Sequence, residues 1–183
     1  QEALRSVVAA SDVSPVRLVL FDVDDDPTTF REVIDLAPRQ AHTNRLRLAM
    51  KEALQPLVPS IRTALDMVLR RPEAFFDASD VATRAGLSRR HLDRLLTAAN
   101  LAPAKNWIVG ARAWHAAHLL VRAGLSAETA AAQLGYADSK ALRRHLAAVW
   151  NLSPTQLTCA DLDVLPRDVV AFLGTREPDP ESG

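Results

Sequence analysis

VATRAGLSRRHLDRLL, residues 81–96, and AAAQLGYADSKALRRHL, residues 130–146, decide how this chain folds. Each reads as a short Ala-rich helix, a glycine, an apolar residue, and then a polar residue that opens a second helix. Gly86 and Gly135 stand forty-nine residues apart at the turns. A left-handed backbone is expected at both, and glycine adopts it without the penalty a Cβ brings. Ser88 and Asp138 occupy the positions where an N-cap accepts from free backbone N–H groups. Ala82 and Ala131 lie where the two helices of each motif must cross closely. This is the grammar of a helix-turn-helix, written twice.

The second helix of each motif has two faces. Leu92, Leu95 and Leu96, and in the other motif Leu142, Leu146 and Trp150, fall on apolar stripes. Arg90, Asp93 and Arg94, and correspondingly Lys140, Arg143 and Arg144, fall on the opposite faces. A basic face behind an apolar stripe suits a helix that enters a nucleic-acid groove. One such motif is a weak signal, because solvated helix faces are often basic. Two in order are a strong one.

Between them runs PAKNWIVGARAWHAAHLLVRAG, residues 103–124. Pro103 suits a first helical turn and Gly124 a helix end. A helix of about twenty residues spans about 30 Å, close to the roughly 34 Å between successive major grooves on one DNA face. Trp107 and Trp114, seven residues apart, have core spacing. Upstream, Ile61, Leu65, Val68 and Leu69 form a stripe that starts near Ser60 and ends before Pro72.

These features resemble the AraC/XylS family of transcription regulators. The stretch LSAETAAAQLGYADSKALRRHLAAVWNLSPTQL, residues 125–157, is similar to that family's most recognisable segment. Gly135-Tyr136, Asp138, Leu142, Leu146, Trp150 and Ser153-Pro154 carry the likeness, and LSRRHLDRLL resembles the first recognition helix. The resemblance covers residues 60–158. It implies an AraC-type DNA-binding domain with a first helix-turn-helix over about 77–99, a linker helix over about 103–123 and a second motif over about 126–150. It further implies contacts to DNA from Arg89, Arg90, Asp93 and Arg94, and from Ser139, Lys140, Arg143 and Arg144. Arg90 could alternatively neutralise Asp93. The implied partners are double-stranded promoter DNA and RNA polymerase, with a homodimer formed through an N-terminal region missing from this sequence. The second motif departs from the family by being lighter, with Ala127 and Ala130 where Ile is common and Leu142 and Leu146 where Phe is.

Charge distribution agrees. The 183 residues sum to zero net charge, yet residues 77–159 hold ten Lys/Arg against five Asp/Glu. Opposite charge asymmetry between segments marks an electrostatic footprint that the total conceals. Apolar residues make up 48% and aromatic residues 5%, so a helical core is expected. The single cysteine, Cys159, excludes an intramolecular disulfide and fits a reducing cytoplasm. No apolar run is long enough to span a membrane.

The expected fold is therefore mainly α, with tandem helix-turn-helix subdomains on a long linker helix, preceded by a small α/β fragment. VRLVLFDV, residues 16–23, reads as a buried strand, and Pro27 as the first residue of a helix that ends at Pro38. RLVLFDVDDDPTTFREVI superficially resembles the first strand and helix of a response-regulator receiver domain. About forty residues cannot hold a whole receiver, so residues 1–38 are expected to be a degenerate remnant or part of a truncated domain. The start at Gln1 points the same way. Residues 39–59 are expected to be a connecting helix, and residues 159–183 an acidic tail whose end is disordered.

Enzyme chemistry finds no support. There is no Gly-rich phosphate loop and no zinc spacing of Cys and His. His115 and His118 share a helix face, but packing is the better account of them, and neither cofactor nor metal is expected. The rival reading is a protein-interaction or signalling module that keeps the helix-turn-helix scaffold without binding DNA. The zero net charge and Asp93 speak for it.

Overall fold

A computed structural model describes residues 27–160 and 165–174 of the chain. The strand expected over residues 16–23 and its acidic flank lie outside the described residues. Residues 1–44 and 45–183 form two units. The described part of the first unit is helical. The helix α1, Pro27–Leu54, runs through Pro38, where the sequence predicts an end. An internal proline removes its own backbone donor and crowds the carbonyl four residues earlier, which a helix can absorb as a local kink without ending.

The second unit is a set of helices arranged around one central helix. They are α2 (Pro59–Arg70), α3 (Ala78–Arg84), α4 (Arg89–Ala98), α5 (Ala104–Val121), α6 (Ala127–Gln133), α7 (Ser139–Trp150), α8 (Pro154–Thr158) and α9 (Leu165–Leu173). A 3-10 turn, Pro72–Ala74, joins α2 to α3. No strand is formed among the described residues; the nearest approach is a single bridge between Leu101 and Gly174.

The central helix is α5, the predicted linker. It packs against α2, α3 and α4 and against α6, α7, α8 and α9. Trp107, Ala111, Ala113, Trp114, Ala116 and Ala117 are all buried. A helix that is apolar almost all round is one that neighbours enclose. Its alanines let those neighbours approach, and its two tryptophans fill the remaining volume. Trp107 keeps its polar edge satisfied, with Nε1 donating to the carbonyl of Ala102 at 3.1 Å. The stripe of α2 is buried as its spacing predicts, at Ile61, Leu65, Val68 and Leu69. His115 Nε2 donates to the Leu69 carbonyl at 2.9 Å, which ties α5 to the end of α2.

Arg112 is the one charged side chain among the buried residues of α5. Its Nε donates to the Pro72 carbonyl at 3.3 Å and its Nη2 to the Phe75 carbonyl at 2.9 Å. Its guanidinium also lies 5.1 Å from the ring centroid of Tyr136. The planar fork thus serves two carbonyls at the entry of the first motif and an aromatic face in the second.

The C-terminal region differs from expectation. The sequence reads as an acidic tail, yet Leu165–Leu173 is a helix with Leu165, Pro166, Val169 and Leu173 buried. Three of these recur every four residues, which is a helical period. Intervening charges at Arg167 and Asp168 make the segment look like an alternating polar stretch when read without its partner surface. The packed unit therefore extends past residue 158.

Candidate nucleic-acid interface

Both motifs are built the same way. In the first, Asp77 caps α3 by accepting from the N–H groups of Ser79 and Asp80, and Asp80 accepts in return from the Asp77 N–H. The Ser79 hydrogen bond holds the exposed Asp77 carboxyl below the usual carboxylate range. In the second, the Ser126 hydroxyl accepts from the Thr129 N–H. The turns then repeat. Gly86 has φ +70° and Gly135 φ +69°. Leu87 N donates to the Ala82 carbonyl at 2.9 Å, and Tyr136 N donates to the Ala131 carbonyl at 3.0 Å. These are the closures that a left-handed glycine permits at a helix end. Ala82 and Ala131 are buried at the helix crossings, as expected.

The caps of the two candidate recognition helices also match the sequence reading. Ser88 Oγ accepts from the His91 N–H at 3.3 Å, and Asp138 Oδ1 from the Ala141 N–H at 2.8 Å. Leu92 and Leu96 of α4, and Leu142 and Leu146 of α7, are fully buried. Each helix is followed by an asparagine in the left-handed region, Asn100 at φ 56° one residue past the Ala99 cap of α4 and Asn151 at φ 55° as the cap of α7. Asparagine is among the few non-glycine residues that accept this conformation readily. The duplication thus extends through the end of each second helix.

The basic side chains stand on the solvent side. Arg89, Arg90 and Arg94 of α4 are exposed, as are Lys140, Arg143 and Arg144 of α7. Ser139 is half-buried at the start of α7. Arg90 and Arg94, and Lys140 and Arg144, lie opposite the buried leucines of their helices, while Arg89 is exposed in the first turn of α4 and Arg143 on the flank of α7, so six cations are presented to solvent in two groups.

Asp93 is placed differently from the other candidates. Its Oδ1 accepts from the backbone N–H of Ala104 at 2.9 Å. Ala104 is the first residue of α5, whose N-cap, Pro103, supplies no side-chain acceptor. Asp93 therefore caps the linker helix from α4. Its second oxygen faces Arg89 at 3.9 Å. The ionic neighbour is Arg89, four residues earlier on the same helix, and not Arg90 as the sequence alternative has it.

Nothing in the sequence pattern singles out Glu128, yet its Oε1 accepts from Arg143 Nη2 at 3.3 Å. Its carboxyl sits below the usual range because of its own backbone N–H, with help from Ser139 and Arg143. One acid on the first helix of the second motif thus restrains two candidate contact residues of α7. Beneath that helix, Tyr136 Oη and His145 Nδ1 share a hydrogen bond of 2.8 Å. Burial, reinforced by Arg112, Arg144 and Lys105, lowers the His145 pKa to about 4, so the ring is neutral at physiological pH.

The family model of the helix-turn-helix domain matches residues 81–158. The match covers this segment alone and supports an AraC/XylS-type helix-turn-helix domain there. No curated protein and no solved structure matches the chain. Among the described residues no group of acids, His and Cys is arranged to hold a metal ion, and no helix is long and apolar enough to cross a membrane.

Proposed function

We propose that this chain binds promoter DNA sequence-specifically, with α4 and α7 in adjacent major grooves on one face of the duplex. The carrying observation is that two capped helices with exposed basic faces flank one buried helix of 18 residues. At 1.5 Å per residue α5 is about 27 Å long, comparable with the roughly 34 Å repeat of the major groove. Arg90 and Arg94, and Lys140 and Arg144, are then the base-reading candidates, since a guanidinium or an ammonium can pair with guanine O6 and N7. Arg89, Arg143 and Ser139 serve the backbone or flanking bases, and the two helix N-termini favour phosphates. Asp93 acts as a positioning residue. RNA polymerase contact and self-association remain part of the proposal on the strength of the family likeness.

Selection from random duplex DNA followed by footprinting tests this. The expected site is asymmetric, about two turns long and protected in two adjacent major grooves by one chain. Affinity should fall with salt by about 0.9 log units per log salt for each phosphate neutralised. Absence of any duplex binding at low salt would overturn the reading in favour of an interaction module.

A further inference from the structure

We propose that α9 is a clasp that fixes the angle and separation of the two reading helices, and so sets the spacing this protein demands between its two half-sites. The inference rests on the two-groove reading above and adds the element that makes that geometry rigid. Three contacts carry it. At the start of α9, the Leu165 carbonyl accepts from Trp150 Nε1 at 3.3 Å, and Trp150 is the last residue of α7. At its end, the Leu173 carbonyl accepts from Ala102 N at 3.0 Å, while Gly174 bridges Leu101. Leu101 and Ala102 are the link between α4 and α5. That same end of α9 lies against Gly110 in the middle of α5, where an added Cβ would stand 2.9 Å from Leu173 Cδ2.

A glycine inside a buried helix costs stability relative to alanine. At Gly110 the missing Cβ leaves room for the Leu173 and Phe172 side chains of α9 to lie against α5. One short helix therefore touches the exit of the first recognition helix, the middle of the linker and the exit of the second. Val169 and Leu173 are fully buried in this contact. Rotating one motif against the other would have to open the Trp150 or the Ala102 hydrogen bond and expose that stripe. DNA makes such rigidity consequential. One inserted base pair turns the second groove by about 35° and moves it by about 3.4 Å. A rigid pair of heads cannot follow both changes, whereas a loosened pair can.

The test compares the full-length parent with a chain stopped after Ala160, which lacks α9, and with full-length Gly110→Leu, whose added side chain collides with Leu173 and Phe172 of α9. Folding is checked by circular dichroism melting. Binding is measured on the selected site, on the first half-site alone, and on sites with one or two base pairs inserted between the grooves. For the parent, an insertion should cost on the order of tenfold to a hundredfold, the loss of one or two base-pair contacts. Both variants should bind the half-site as the parent does and lose most of the insertion penalty. Variants that keep the parent's penalty overturn the clasp and leave the two-groove reading standing. A parent indifferent to insertion overturns both. Unfolding of both variants also overturns the clasp, because α9 would then be core and not a separable tie.

Discussion

Asp93 offers the sharpest division between the contact reading of a residue and its structural placement. Its Oδ1 takes the Ala104 N–H at 2.9 Å, at the head of a helix whose own N-cap has no side-chain acceptor. Asp93→Ala removes that acceptor. Loss of a helix cap costs about 0.5–2 kcal/mol, and loss of a carboxylate at a helix N-terminus about 0.3–1 kcal/mol more. The Arg89 contact at 3.9 Å is exposed and adds little. Asp93→Ala is therefore expected to lose about 1–3 kcal/mol in urea denaturation. Asp93→Asn keeps an acceptor and should lose less than half of that. Binding should move the opposite way. Removing a negative charge beside three arginines favours phosphate association, so both variants should bind duplex DNA as tightly as the parent or tighter at low salt, with unchanged base preference. Equilibrium melts and a base-by-base binding scan measure the two effects. A variant of full stability that loses discrimination at one cytosine would refute the capping role and make Asp93 a base reader.

Arg94→Ala and Arg144→Ala should each lose about 1–3 kcal/mol of binding at one position if the side chain pairs with a base. Titration calorimetry on matched and mismatched sites checks this, and a uniform loss over all sequences would reassign the residue to phosphate. Leu146→Ala, at a fully buried position, should lose about 2–5 kcal/mol of stability and abolish binding through unfolding; a thermal melt coincident with the parent's would contradict the burial. His145 links stability to pH, because its folded pKa of about 4 lies below the ordinary 6.5. The unfolded chain binds the proton first, so the His145 contribution is intact above pH 6.5 and declines as pH falls towards 4. His145→Gln should flatten the melting-temperature profile across that window, and an unchanged slope would place the acid sensitivity elsewhere.

Much of the site was legible in the sequence because its determinants are local. Gly86, Gly135, Ser88 and Asp138 state turn and cap geometry within a few residues, and Leu92, Leu96, Leu142 and Leu146 state a helical face by spacing alone. Arg112 carries a signal that could have been read, a lone cation within WIVGARAW, residues 107–114, where a charge must find partners. Its partners Pro72, Phe75 and Tyr136 are distant in sequence, so their identity could not be read there.

The sequence by itself determined the duplicated motif, its caps, its buried leucines and its exposed basic faces, since backbone sterics and helical periodicity act over a few residues. Tertiary structure alone decided which acids engage which partners. Asp93 reaches the start of α5, and Glu128 restrains Arg143 on a different helix, because packing brings together groups that periodicity treats as merely exposed. It also decided the fate of residues 165–173. Their apolar stripe is too short to be a stable helix alone, and it acquires its meaning from the groove over Gly110 that the rest of the fold provides.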